Sequence, residues 1–318
     1  MTPTADAEVL VLGLVKSASE VATSPAGVVA PVVVTRACVQ LMHWSVDVVN
    51  CGVFVPPALD CLEAGSAVAN CVSSGKALSI SDVESLFEKG VVFGEKVSRQ
   101  TDYLVVAECV PGGTTTAAAV LKACGHDLEQ LLPGSALQVD YDLRRRLISS
   151  GLAGTEYDAK QMYRNPLLAI AAVGDPMQPF AAGLVLSASA RIPVILAGGG
   201  QMVAVYMLAR ALGKSVIGSG IGDWQRSCAA VITTKWVIND RRANLRQVSK
   251  ILAVPLAYSA PNFNLLRHEG LRNYERGHVK EGVGAGAAMA LSYLNGRYEE
   301  KQILSAIDDA FVEIMSAR

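Results

Sequence analysis

A chain of 318 residues that is 51% hydrophobic has enough apolar material for one large α/β core, and its mean hydropathy of +0.32 agrees with that. A formal net charge of −1 with no basic block excludes the electrostatic footprint of a nucleic-acid binder, and no run of about 20 uninterrupted apolar residues is available to span a membrane. Seven cysteines without a CxxC, and a start with no basic segment, indicate free thiols in a reducing cytoplasmic setting rather than a secreted disulfide scaffold.

In chain order, residues 1–27 carry no clear pattern. Residues 31–34 read as a short strand leading into a helix, and 46–55 as a β-branched run that Pro56 and Pro57 end. A helix is expected from Asp82 to about residue 100, interrupted at Gly90. Residues 103–107 form a buried strand. The turn Pro111-Gly112-Gly113 follows, and then a helix opened by Thr114, Thr115 and Thr116 and capped by Gly125. Residues 128–148 and 156–163 read as helical and partly exposed. Two more units follow. Strand 167–173 leads through Gly174-Asp175-Pro176 into helix 177–190. Strand 193–197 leads through Gly198-Gly199-Gly200 into helix 201–212. Residues 229–237 and 252–258 are further strands. Helices over 284–296 and 298–317 close the chain, the last with Ile303, Ile307, Phe311 and Ile314 at helical spacing.

Repeated strand–glycine loop–helix units imply right-handed crossovers. They predict an α/β fold with a doubly wound, mainly parallel, Rossmann-like sheet, helices on both faces, and a small helical part from the chain ends. The chain is expected to form a single unit over 1–318. Its core spans about 98–285, and helices over 286–318 pack with the N-terminal region. Ligands of such sheets sit outside the carboxyl ends of the strands, where all of these glycine loops fall.

The stretch from Asp102 to Gly125, DYLVVAECVPGGTTTAAAVLKACG, is the most informative. Its strand delivers Glu108 to a carboxyl end, beside a helix start whose free N–H groups and positive dipole suit a phosphate or carboxylate. Glu281, between Lys280 and Gly282 and ahead of a helix start, is a second candidate. A carboxylate in a partly apolar pocket acts as a general base once its pKa approaches neutrality. The Gly198–Gly200 loop serves either tight strand–helix packing or close approach to a ligand. Asp175 either holds a ribose hydroxyl or caps the following helix. GGTTTA lacks the Lys of a Walker A loop, and the glycines at 218–222 and 282–286 have the wrong spacing for a dinucleotide fingerprint. Neither a metal set nor a Ser-His-Asp arrangement is legible, and no cofactor is called for.

Four segments together carry a resemblance: DYLVVAECVPGGTTTAAAVLKACG, VGDPMQPFAAGLVLSASARIPVILAGGGQMVAVYMLARALG, TTKWV and YERGHVKEGVGAGAAMA. They resemble the nicotinate-nucleotide–dimethylbenzimidazole phosphoribosyltransferases, in particular their archaeal and cyanobacterial branch. The resemblance implies transfer of the 5-phosphoribosyl group from nicotinate mononucleotide to 5,6-dimethylbenzimidazole, a step of cobalamin lower-ligand synthesis, in a homodimer with no metal. It implies Glu281, in a Glu-Gly-x-Gly-Ala loop, as the base, and Glu108 as the glutamate near the reacting ribose. Phosphate and ribose would fall to Gly112, Gly113, Thr114, Thr115, Thr116, Gly174, Asp175, Gly198, Gly199, Gly200, Lys280 and Gly282. Residues 46–59 and 78–86 are expected to wall the base pocket. Two departures stand out. Gly113 replaces the Asn of the bacterial branch. Archaeal members carry a strand ahead of the ADAE-like stretch at which this sequence starts, so that strand is expected to be missing or replaced by a partner. A non-catalytic nucleotide-phosphate binder on the same scaffold is the alternative, and a structural homodimer with a vestigial site is a third.

Overall fold

The computed structural model describes residues 2–17, 23–24, 27–65, 67–134, 139–215 and 228–317. Helices α1 (Thr2–Leu12) and α2 (Val32–Leu41) come first, followed by a two-residue parallel pair, β1 (Val49–Asn50) with β2 (Leu62–Glu63). Then come α3 (Ile80–Val97), β3 (Leu104–Ala107), α4 (Gly113–Ala123), α5 (Tyr141–Gly154), α6 (Ala159–Arg164), α7 (Pro166–Val173) and α8 (Met177–Ala188). The second half holds β4 (Val194–Ala197), α9 (Gly200–Ser215), β5 (Ala229–Thr234), α10 (Lys235–Ile238), α11 (Leu245–Leu252), β6 (Leu256–Ser259), α12 (Glu269–Arg272), α13 (Ala285–Leu294) and α14 (Glu300–Ser316).

The fold is α/β. Its main sheet is parallel throughout, with strand order β3-β4-β5-β6. Alternation along the strands divides their side chains between two helical layers. Leu104, Val106, Val194, Leu196 and Val231 join the main core with residues of α4, α7, α8 and α9. Val105, Ile195, Ala197 and Ile232 face Ala287 and Ala290 of α13 on the other side. A separate core unites the chain ends: Val9 of α1, Val32 to Val34 of α2, Met289 of α13, and Ile303, Ile307 and Ile314 of α14.

Helices α3 and α8 cross closely because glycines remove side chains at the crossing. A Cβ at Gly90 would lie 2.1 Å from the Phe180 carbonyl oxygen, and one at Gly183 would lie 2.3 Å from that of Phe87. Gly90 is therefore a packing residue inside an unbroken α3, not an interruption. Ser79 begins that helix by accepting from the Asp82 N–H at 3.1 Å.

Several elements differ from the sequence expectation. Residues 167–173 belong to α7, not to a strand. Asn165 accepts from the Leu167 N–H at 3.1 Å, and Pro166 stands at the first helical position, so the segment starts with a strong cap. Val32 to Val34 lie in α2, because Pro31 again starts a helix and the valines enter the second core. The 46–55 run contributes two strand residues only. The helix expected over 128–148 begins at Tyr141, capped by Asp140, and that over 156–163 begins at Ala159, where Asp158 and Gln161 form a capping box. The 229–237 strand ends at Thr234, whose side chain caps α10, and Leu252 ends α11 before β6 starts at Leu256. The Gly218–Gly222 stretch lies outside the described residues.

Candidate active site

The carboxyl ends of β3, β4 and β5 deliver Glu108, Gly198 to Gly200, and Thr233 with Thr234 to one edge of the sheet. The loop ahead of α13 crosses that edge. The Val283 N–H donates to the Glu108 carbonyl at 3.2 Å, and a Cβ at Gly284 would sit 2.9 Å from both Ala107 and Ala197. Val279 and Val283 adopt φ of +45° and +49°. β-Branched side chains rarely take the left-handed region, so the two residues bracketing Lys280 to Gly282 hold backbone strain.

Glu281 receives three hydrogen bonds. The Gly282 N–H (3.1 Å) and the Gly286 N–H (3.2 Å) donate to Oε1, and the Thr233 hydroxyl donates to Oε2 at 3.2 Å. The carboxylate thus occupies the N-terminus of α13, where Gly284 supplies no capping side chain. Burial nonetheless pushes its pKa up to about 7, because desolvation outweighs the N–H bonds and the Thr233 bond that favour the charged form. Glu108 accepts from Gln201 Nε2 at 2.7 Å through Oε1 and from the Val110 N–H at 2.9 Å through Oε2. Burial first, then the neighbouring Asp175 and, more weakly, Glu281 charges push its pKa up to about 8. Sequence separates the two glutamates by most of the chain, and the sheet edge makes them electrostatic neighbours.

The Gly112 to Thr116 turn flanks Glu108. Gly112 adopts φ +73° with open space where a Cβ would be, and α4 has no side-chain N-cap. Thr114 and Thr115 are half-buried in its first turn. Thr116 faces inward, its hydroxyl bridging the Gly113 carbonyl (3.0 Å) and Asp175 Oδ2 (2.5 Å). Asp175 is buried and serves as a cap. Its Oδ1 accepts from the Met177 and Gln178 N–H groups at 3.1 and 3.3 Å. Burial raises its pKa to about 6. Gly174 is buried beside it, with Ile170 and Gln178 filling the space a Cβ would take. At the end of β4, the Gly198 N–H continues the ladder to Ile232 O (3.0 Å), Gly200 packs on Leu132, and Gly199 alone of the three is half-exposed.

Lys280 forms a buried ion pair. Its Nζ lies 2.7 Å from Asp240 Oδ2 and 3.1 Å from the Gly134 carbonyl, with both side chains of the ion pair buried. Gly282 lies against Pro31 and donates to Glu281. Of the segments expected to wall the base pocket, 51–52 reaches the site's rear, where Gly52 meets Pro176. Leu78, Val83 and Leu86 lie in the main core instead. Three participants are not singled out by sequence: Gln201, Thr233, and Asp6 of α1. Asp6 accepts from Cys109, the neighbour of Glu108, at 3.1 Å, and burial raises its pKa to about 6. The position of Gln201, the first polar residue after the triple glycine, is the one available signal. Cys38, Cys51, Cys61, Cys71, Cys109 and Cys124 are free thiols. Among the described residues no group of three or more His, Cys, Asp or Glu is placed to hold a metal ion, and no helix is long and apolar enough to cross a membrane.

Residues 17–218 match the family model DBI_PRT, described as phosphoribosyltransferase. A UPF0284 protein of Gloeobacter violaceus is 39% identical over 311 residues, covering 97% of this chain and 79% of its own length. The chain belongs to this phosphoribosyltransferase family. Another relative, a UPF0284 protein of Gloeothece citriformis, is 38% identical over 318 residues, covering 98% of this chain and 83% of its own. Among solved structures, the nicotinate-nucleotide-dimethylbenzimidazole phosphoribosyltransferase of Thermus thermophilus superposes with TM-score 0.57 at 18% identity, over 86% of this chain and 71% of that one. A structure titled CobT from the same organism gives 0.55 at 18% identity, over 88% and 71%. At that identity the likeness shows the fold. The family match covers Glu108 and the glycine loops after β3 and β4, while Glu281 lies beyond it.

Proposed function

We propose that the protein transfers the 5-phosphoribosyl group of nicotinate mononucleotide to 5,6-dimethylbenzimidazole or a related base, giving α-ribazole 5′-phosphate and nicotinate. The observation that carries this reading is the pair of glutamates at one sheet edge, both with pKa raised toward neutrality, beside an uncapped helix start. Raised carboxyl pKa values cluster at acid–base sites. The N–H groups of the Gly112 to Thr116 turn, with the half-exposed Gly199, take the 5′-phosphate. The C1′–N bond breaks with its electron pair passing to the pyridinium nitrogen, so nicotinate leaves without needing a proton. The incoming ring nitrogen donates its pair to C1′ from the opposite face, which inverts β to α. The proton on its other ring nitrogen goes to Glu281, whose pKa of about 7 suits a general base. Glu108 holds ribose hydroxyls and favours the positive charge that builds at C1′.

Replacing the base tests the assignment. Glu281→Gln is expected to slow nicotinate release about 10²-fold or more. Nucleotide binding by calorimetry should stay near wild type, because Gln keeps an acceptor for the Gly282 and Gly286 N–H groups. A variant turning over at the wild-type rate would remove Glu281 from the mechanism.

A further inference from the structure

Gln201 opens α9 immediately after the triple glycine, and its carboxamide lies between two parts of the site. On one side Nε2 donates to Glu108 Oε1 at 2.7 Å. On the other side is Gly113, where an added Cβ would fall 1.8 Å from Gln201 Oε1 and 2.4 Å from Cδ. Gly113 has no positive φ, so chain conformation does not require glycine there. What an added Cβ would meet, and displace, is the amide beneath. Oε1 itself is buried and has no hydrogen-bond partner among the described residues. A buried acceptor left unpaired is costly. Here the amide keeps that arrangement while directing its N–H at a carboxylate.

We infer that Gln201 is a positioning residue that fixes the Glu108 carboxyl group and favours its ionised form, and that glycine at position 113 exists to seat it. The inference rests on the reading of Glu108 as the ribose-side carboxylate. A hydrogen bond donated to a carboxylate stabilises the charged form. The Gln201 and Val110 donors both act this way on Glu108. They oppose the charges that face it from the other elements, Asp175 ahead of α8 and Glu281 ahead of α13, while the adjoining Cys109 thiol is kept neutral by burial and by its bond to Asp6. No cation is hydrogen-bonded or ion-paired to Glu108 among the described residues, so the amide is the one side chain that offsets its acidic neighbours.

The test is a titration of the ligand-free protein carrying 13C-carboxyl-labelled glutamate, with the Glu108 signal assigned by its loss in Glu108→Gln. Gln201→Met keeps the length and loses the donor. It is expected to move the Glu108 midpoint to higher pH by about one pH unit, the scale of one hydrogen bond to a charged group, with Glu281 moving far less. Gln201→Glu places another carboxyl there and should move it further. Gly113→Ala, which expels the amide, should move it in the same direction, and Gly113→Ala/Gln201→Met should match Gln201→Met alone. The inference is overturned if Gln201→Met leaves the midpoint unchanged, if Glu108 and Glu281 shift together as in a general loosening, or if the two substitutions add. Nicotinate release is measured alongside. Its failure in the wild type would sink the proposed reaction while leaving the titration result to decide the role of Gln201. Where release occurs, the pH limb set by Glu108 should track the midpoint.

Discussion

At the residue scale the site is a cluster of acids held close to neutrality. Asp6, Glu108, Asp175 and Glu281 all have raised pKa values, and burial is the first cause in each. A cluster so short of counter-charge suits a cation. It also has a consequence for stability. Glu281 titrates near 7 in the folded protein and near its ordinary value of 4.5 when unfolded. Between those values the native state binds the proton more tightly, so this group's contribution falls as pH rises through that window. It is least favourable above pH 7 and absent below pH 4.5. Glu281→Gln should therefore raise stability at about pH 8.5 by on the order of 2 kcal/mol and leave it nearly unchanged at about pH 4.5. Thermal melts at the two values check this, and equal changes at both would contradict the buried-acid description. The same sign makes turnover rise with pH through about 7, as Glu281 becomes an acceptor.

At the element scale, the strand–glycine–helix units after β3 and β4 are legible because a short apolar run that leads through a glycine turn into a helical pattern fits a buried strand of a parallel sheet. Residues 167–173 mislead for the same reason. An apolar run buried along most of its length shows no period, and length alone does not separate a strand from a short buried helix. The deciding signal is local: Asn165 and Pro166 form an N-cap and first-turn pair. Gly90 reads as a break because a lone glycine in a helix weakens it, yet its use lies in a contact with α8 that sequence does not display. Gly90→Ala should destabilise the protein by about 2–3 kcal/mol, since backbone meets backbone there and neither gives way cheaply. Val92→Ala, at a position 68% exposed on the same helix, should be near neutral in the same urea titration. Equal effects would contradict the close α3–α8 crossing.

At the scale of the whole molecule the site joins two packed bodies. Glu108 belongs to the sheet and the main core. Glu281 leads into α13, which lies on the sheet with one face and shares the chain-end core with α2 and α14 through Ala288 and Met289. The amphipathic C-terminal helix is visible in Ile303, Ile307 and Ile314, all buried in that core. What sequence cannot place is the long-range side-chain contact, such as Gln201 reaching Glu108 or Asp240 claiming Lys280, because each pairs residues tens of positions apart. Transfer of phosphoribosyl groups to a base at this edge is tested most directly by incubating the protein with nicotinate mononucleotide and a panel of benzimidazole and purine bases and separating the products by chromatography. The account predicts nicotinate and an α-configured ribotide in equal amounts with 5,6-dimethylbenzimidazole or a close relative. Absence of nicotinate release with every base, from protein that binds the nucleotide, would contradict it.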